Sequence, residues 1–123
     1  MTYPFRQDIP LYIQLVNAIK LQLVDGTYQA GDRLPSIRDL AVAFSVTPNT
    51  LQRALQQLEE EGLIYTERTA GKYVTPQADR LAQLRQDILA DSVRTLFHDM
   101  LGKRFTQAEI EAAIRKELTS HEE

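Results

Sequence analysis

The sequence predicts a mainly α fold with one small β hairpin, in the order three helices, hairpin, two helices. Three observations carry this reading. Apolar residues recur at spacings of three and four in five stretches, capping residues stand at the starts of three of them, and between residues 63 and 75 the pattern changes to two short β-prone runs.

The first helix is expected over residues 10–25. Tyr12, Val16, Ile19 and Leu23, seconded by Leu11 and Leu15, give the period, Pro10 suits a first turn, and Gly26 suits the cap beyond the end. A short second helix is expected from Ser36, which with Asp39 has the spacing of a capping box. Its apolar face is Ile37, Leu40, Ala41 and Phe44, and it must stop by Ser45. Thr47 is a good N-cap for a third helix, Pro48 a good first residue, and Val46 and Leu51 fit a hydrophobic staple. That helix carries Leu51, Ala54, Leu55 and Leu58 on one stripe and stops at Gly62. Residues 63–66 and 72–75 then read as strands around the turn 67–71. After Pro76 the apolar residues Leu81, Leu84, Ile88, Leu89, Val93, Leu96, Phe97 and Met100 mark one long helix ending at Gly102. Thr106 and Glu109 box the start of a last helix that carries Ile110, Ala113, Ile114 and Leu118.

Composition excludes several function classes. The 123 residues are 43% hydrophobic and 25% charged, the balance of a chain that buries a core. There is no cysteine, hence no disulfide framework, thiolate metal site or cysteine nucleophile, and the two histidines, His98 and His121, supply metal chemistry poorly. No metal, no cofactor and no catalytic role are expected: the chain has no phosphate-binding glycine loop and no nucleophile with a base. No apolar run reaches the roughly 18 residues of a membrane span, and the N-terminus has no basic-then-apolar leader, so a cytoplasmic protein is expected. The net charge of -3 argues mildly against nucleic acid when averaged over the chain. Locally the sign reverses: residues 33–56 hold Arg33, Arg38 and Arg53 against Asp39 alone, three minus one or +2.

The second and third helices, joined by Phe44-Ser45-Val46-Thr47, have the spacing of a helix-turn-helix, whose second helix enters the major groove with its N-terminal residues on base edges. Here those residues are Thr47, Pro48, Asn49 and Thr50, followed by Gln52 and Arg53. Asn and Gln can bind adenine bidentately, Arg can bind guanine, and Thr can take a phosphate or a thymine methyl. Taken alone, Asn49 and Thr50 are equally ordinary first-turn residues, and it is their companions that favour the groove. Arg38 could pair with Asp39 or Asp32, yet it also stands well to hold a phosphate; Arg33 and Ser36 join the same candidate surface. Arg68 and Lys72 around Gly71 suit a hairpin that touches DNA or merely a soluble edge. Glu59-Glu60-Glu61 reads as a solvated helix end without function, and His98 as a surface or interface residue.

The residues Ile9-Pro10-Leu11-Tyr12, Gly31-Asp32-Arg33-Leu34-Pro35-Ser36-Ile37-Arg38-Asp39-Leu40-Ala41, Val46-Thr47-Pro48-Asn49-Thr50 and Leu58-Glu59-Glu60-Glu61-Gly62-Leu63-Ile64 resemble the winged helix-turn-helix domain of the GntR family of bacterial transcription regulators over residues 9–75. The resemblance implies DNA contacts at Arg38, at Thr47, Asn49 and Thr50, and at the wing-tip Gly71. The wing Glu67-Arg68-Thr69-Ala70-Gly71 has two fewer arginines and one fewer glycine than is usual in the family, which implies a weaker grip, and relatives with arginine where Pro48 and Gln52 stand must read other bases. Only residues 77–123 follow the head, a size similar to the YtrA-like branch, whose short C-terminal segment dimerises.

The expectation is therefore a DNA-binding head over residues 1–76 and a two-helix dimerisation segment over 77–123, together a homodimeric repressor on an inverted-repeat operator of double-stranded DNA. The long helix bears a stripe that one short helix cannot cover, so Leu84, Ile88, Val93, Leu96, Phe97 and Met100 are expected at the dimer contact. An effector, unidentified in kind, is expected at the dimer seam or near Pro76 to Leu81 rather than in a pocket within each subunit. The rival reading is a winged-helix module that binds other proteins without sequence-specific DNA binding.

Overall fold

Seven elements follow one another in a computed structural model that describes residues 4–121: α1 (Leu11–Val24), α2 (Ile37–Phe44), α3 (Pro48–Glu60), β1 (Ile64–Glu67), β2 (Gly71–Val74), α4 (Ala78–Gly102) and α5 (Gln107–Ser120). Local chemistry explains most of the ends. Pro10 caps α1 from outside, with an extended ψ of 134°, instead of being its first helical residue. The Ser36 hydroxyl accepts from the Asp39 N–H at 3.1 Å to start α2, but only this half of the expected capping box forms among the described residues. At α5 both halves form, with Thr106 and Glu109 at 3.1 and 3.0 Å. Glutamate is one methylene longer than aspartate, which is the reach the return bond needs. Thr47 caps α3 by accepting from the Thr50 N–H at 3.3 Å.

The turn between α2 and α3 is closed by Ser45 in the left-handed region, φ 57° and ψ 44°, and by the Val46 N–H on the Ala41 carbonyl at 3.0 Å. This wraps the last carbonyls of α2 and redirects the chain within a few residues. Gly62 does the same after α3 at φ +74°, and a Cβ there would strike the Arg80 guanidinium, which donates to the Glu61 carbonyl at 3.1 Å. α4 ends at Gly102, where the sequence places its end, and the left-handed residue that follows is Arg104, φ 72°.

α3 lies at the centre of the head, against α1, α2 and β1. Leu15 and Ile19 of α1, Leu51, Leu55 and Leu58 of α3 and Val74 of β2 are the largest fully buried side chains. The strands pair antiparallel in the register Ile64↔Val74 and Tyr65↔Tyr73, and the two tyrosine rings stack at 5.6 Å. A short segment of the α1–α2 loop also pairs with β2, which the sequence reading did not anticipate. Arg33 bridges Tyr73, the Leu34 N–H donates to the Lys72 carbonyl and the Val74 N–H to the Asp32 carbonyl, both at 2.8 Å.

The chain forms two compact units that divide at Arg85 and Gln86, inside α4. The first turns of α4 belong to the head unit: Leu84 is only 8% exposed, and Arg85 donates to the Val24 carbonyl at the end of α1. In the second unit Ile110 is buried, while Leu89, Val93, Leu96, Phe105, Ile114 and Leu118 are exposed. Among the described residues no helix is long and apolar enough to cross a membrane, and no cluster of three metal-ligating side chains occurs.

Candidate nucleic-acid interface

Because Leu51, Ala54, Leu55 and Leu58 are all at most 1% exposed, the rotation of the helix turns Asn49, Gln52, Arg53 and Gln56 outward. At 100° per residue this surface has two flanks. Gln52 and Gln56 line a notch of about 340 Å³ with Ile37 of α2, Glu59 and Lys72. On the other flank, Thr50 and Arg53 line a notch of about 530 Å³ with Pro10, Leu11 and Tyr12 at the start of α1. Asn49 stands between the flanks, exposed, on the first turn beside Pro48. Thr47 and Thr50 are more constrained, their hydroxyls 3.0 Å apart in one hydrogen bond.

Cations border this surface. Arg38 is exposed on α2 and makes no ion pair among the described residues, neither with Asp39 nor with Asp32, whose carboxylate accepts from the Gln29 N–H at 2.8 Å. Arg68, at the hairpin tip, is likewise exposed with no carboxylate partner among them. The Arg33 guanidinium lies beside Gly71, whose φ of +95° makes the tip turn, its nearest nitrogen 3.5 Å from where a Cβ would be. Arg33 thus belongs to the wing as well as to the approach to α2. Ser36 spends its hydroxyl on capping.

Lys72 is not held out at the wing tip. Its ammonium sits 3.1 Å from the Glu59 carboxylate and 2.8 Å from the Thr66 hydroxyl, half-buried. The acidic run is accordingly not a merely solvated helix end: Glu59 ties α3 to the hairpin, also accepting from Thr66, and Glu61 ties α3 to α1 through Lys20 at 2.7 Å. The Lys72–Glu59 pair has a plain physical reason. Strand pairing brings the partner of Thr66 over the last turn of α3, and a half-buried ammonium and carboxylate pair more favourably than either stays alone.

Partial burial works to raise the Glu59 carboxyl, but the hydrogen bonds from Thr66 and Lys72 and the Lys72 charge outweigh it and hold the group below its ordinary range. Glu61 is lowered in the same way, burial being outweighed by bonds from Lys20 and Gln57 and by the Lys20 charge. A carboxyl lowered in the folded chain stabilises the fold above the unfolded-state value of about 4.3 and loses that contribution as pH falls through the folded value. Glu59→Gln is therefore expected to lower stability near neutrality and to flatten its decline below about pH 4.5, read from urea midpoints between about pH 6 and about pH 3.

The tail residues separate into two groups. Leu84 is buried in the head unit and takes no part in an exposed stripe. Ile88, Phe97 and Met100 are partly exposed, Val93 is 54% and Leu96 46% exposed. Leu96 and Met100 form, with Phe105, Ile110, Ile114 and Leu118, an open apolar groove of about 570 Å³ within the second unit.

A three-helix head with a short β wing, whose helix-turn-helix exposes amide side chains and arginines that make no ion pair among the described residues, defines a winged helix-turn-helix protein of the DNA-binding class. The profile of "Bacterial regulatory proteins, gntR family" matches residues 11–74. The repressor YtrA of Bacillus subtilis is 33% identical over 95 residues, 76% of this chain and 73% of its own. YhcF of the same organism, an HTH-type transcriptional regulator, is 28% identical over 94% of this chain and 95% of its own. A GntR family transcriptional regulator from Listeria monocytogenes, 39% identical, superposes with a TM-score of 0.82 over 91% of this chain and 98% of that one. The chain belongs to the GntR family of bacterial regulatory proteins, a family of transcription regulators and not of enzymes.

Proposed function

We propose that this regulator is a cytoplasmic repressor that binds an inverted-repeat operator as a homodimer, with the N-terminal end of α3 in the major groove. The observation that carries this reading is the exposed surface of α3: Asn49 and Gln52 are presented on a rigid, capped helix, and Arg38 and Arg68 border it with no carboxylate neutralising them among the described residues. In this reading residues 1–76 bind DNA and residues 77–123 join two copies. The exposed apolar residues Val93, Leu96, Ile114 and Leu118 support the second half, because so much apolar surface on so small a unit is stabilised by cover. YtrA, a relative by sequence, carries the name of a repressor, which favours repression over activation.

The expected energetics separate the roles. Asn49→Ala should cost on the order of 1 to 3 kcal/mol on the operator and relax preference at one base pair of each half-site. Arg38→Ala should weaken binding to every sequence and lower the slope of log affinity against log salt by about one. Anisotropy titrations of labelled duplexes over a range of salt check both. Binding that ignores salt, or two folded variants indistinguishable from the parent, would favour a module that contacts protein instead.

A further inference from the structure

The arginine that the sequence offers as a base reader is held sideways. The guanidinium carbon of Arg53 lies 3.8 Å above the centre of the Tyr12 ring, at the start of α1, and the two side chains share one notch with Thr50. Tyr12 has the spacing of an apolar residue of α1, yet it is only half-buried, with Arg53 on its exposed side. From this geometry we infer that Tyr12 is a positioning residue for DNA binding, holding Arg53 on the α1 flank of the recognition helix so that it clamps a phosphate of the backbone instead of reading a base. The inference rests on the reading of α3 as the helix that enters the groove.

Dimensions favour the clamp. A helix with its side chains is about 10–12 Å across and the major groove about 12 Å wide, so residues in the middle of the outward face meet the groove floor and residues on its flanks meet the phosphate walls. Asn49 stands between the flanks, whereas Arg53 is drawn to one of them by Tyr12. Stacking also suits the chemistry of the contact. It occupies the π face of the guanidinium and leaves the N–H donors at its edge, in the plane where a phosphate is met by two parallel hydrogen bonds. A side chain already stacked has less conformational freedom to lose on binding.

The test uses the full-length chain and two duplexes, one recovered by selection from random DNA and one of unrelated sequence. Arg53→Ala is expected to weaken both by a similar factor and to lower the salt slope by about 0.9, one phosphate contact. Tyr12→Leu should weaken both about 2- to 5-fold, the range of a surface cation–π contact, and move the slope toward that of Arg53→Ala. Tyr12→Phe, which keeps the ring, should restore parent affinity and slope, and Tyr12→Leu added to Arg53→Ala should cost nothing further. A merely structural role for Tyr12 predicts that Tyr12→Leu costs as much when added to Arg53→Ala as it does in the parent, and that result would overturn the inference, as would an Arg53→Ala variant that loses discrimination between the duplexes. Parent protein that binds neither duplex would overturn the reading of α3 along with it.

Discussion

A full-length chain carrying Val93→Glu and Leu96→Glu is expected to sediment as a monomer at micromolar concentration and to bind an inverted repeat on the order of 10²- to 10⁴-fold more weakly than the parent. Both positions are about half exposed, so neither carboxylate enters a packed interior of the subunit and each head should keep its fold. In a twofold dimer joined through this stripe, however, the two charges would be desolvated against apolar side chains of the second copy. The loss of affinity is then one of linkage: once one head is bound, the second is tethered near its half-site, and separating the heads removes that effective concentration without touching a DNA contact. Binding of a single half-site should be unchanged, which separates this effect from damage to the head. A parent protein that already sediments as a monomer, or a variant that keeps full affinity for the repeat, would remove the dimer from the account.

The second large effect is on stability. Leu55→Ala should cost about 2–5 kcal/mol, because Leu55 is 1% exposed on the helix against which α1, α2 and β1 all pack, and the site is ringed by several elements that cannot all close on the space left behind. A domain of this size is stabilised by only about 5–15 kcal/mol in total, so the substitution should take a large part of it. Urea unfolding followed by circular dichroism reads the difference. A cost below about 1 kcal/mol would mean that α3 is not the centre of the head's packing.

Much of the fold was legible because its signals are local. Thr47 and Pro48 start α3, Gly62 ends it, and the stripe from Leu51 to Leu58 states which face is buried. From the buried face the exposed one follows, and with it Asn49 and Gln52. What was not legible depends on residues far apart in sequence. Nothing around Arg53 announces that Tyr12 lies beneath it, since the two meet only when α1 packs on α3. Lys72 stands in the sequence as a wing cation, and the carboxylate that holds it, Glu59, belongs to the preceding helix. A signal did exist there: three acids in a row at the C-terminal end of a helix oppose its dipole, and such a placement asks for cations from elsewhere. Arg33, in a loop with no periodicity, likewise joined β2 without any pattern to foretell it. Leu84 kept the period of a helical stripe that changes its neighbours partway, from the head unit to the second unit, and periodicity does not record where that change falls.

The central claim is that the first turn of α3 reads sequence, and selection of bound fragments from random DNA by parent and Asn49→Ala protein tests it most directly. The parent should recover an inverted repeat with centres about 34 Å apart, or a multiple of that, and Asn49→Ala should recover the same repeat with preference lost at one symmetry-related base pair in each half. An identical repeat recovered by both, with no position relaxed, would contradict the claim.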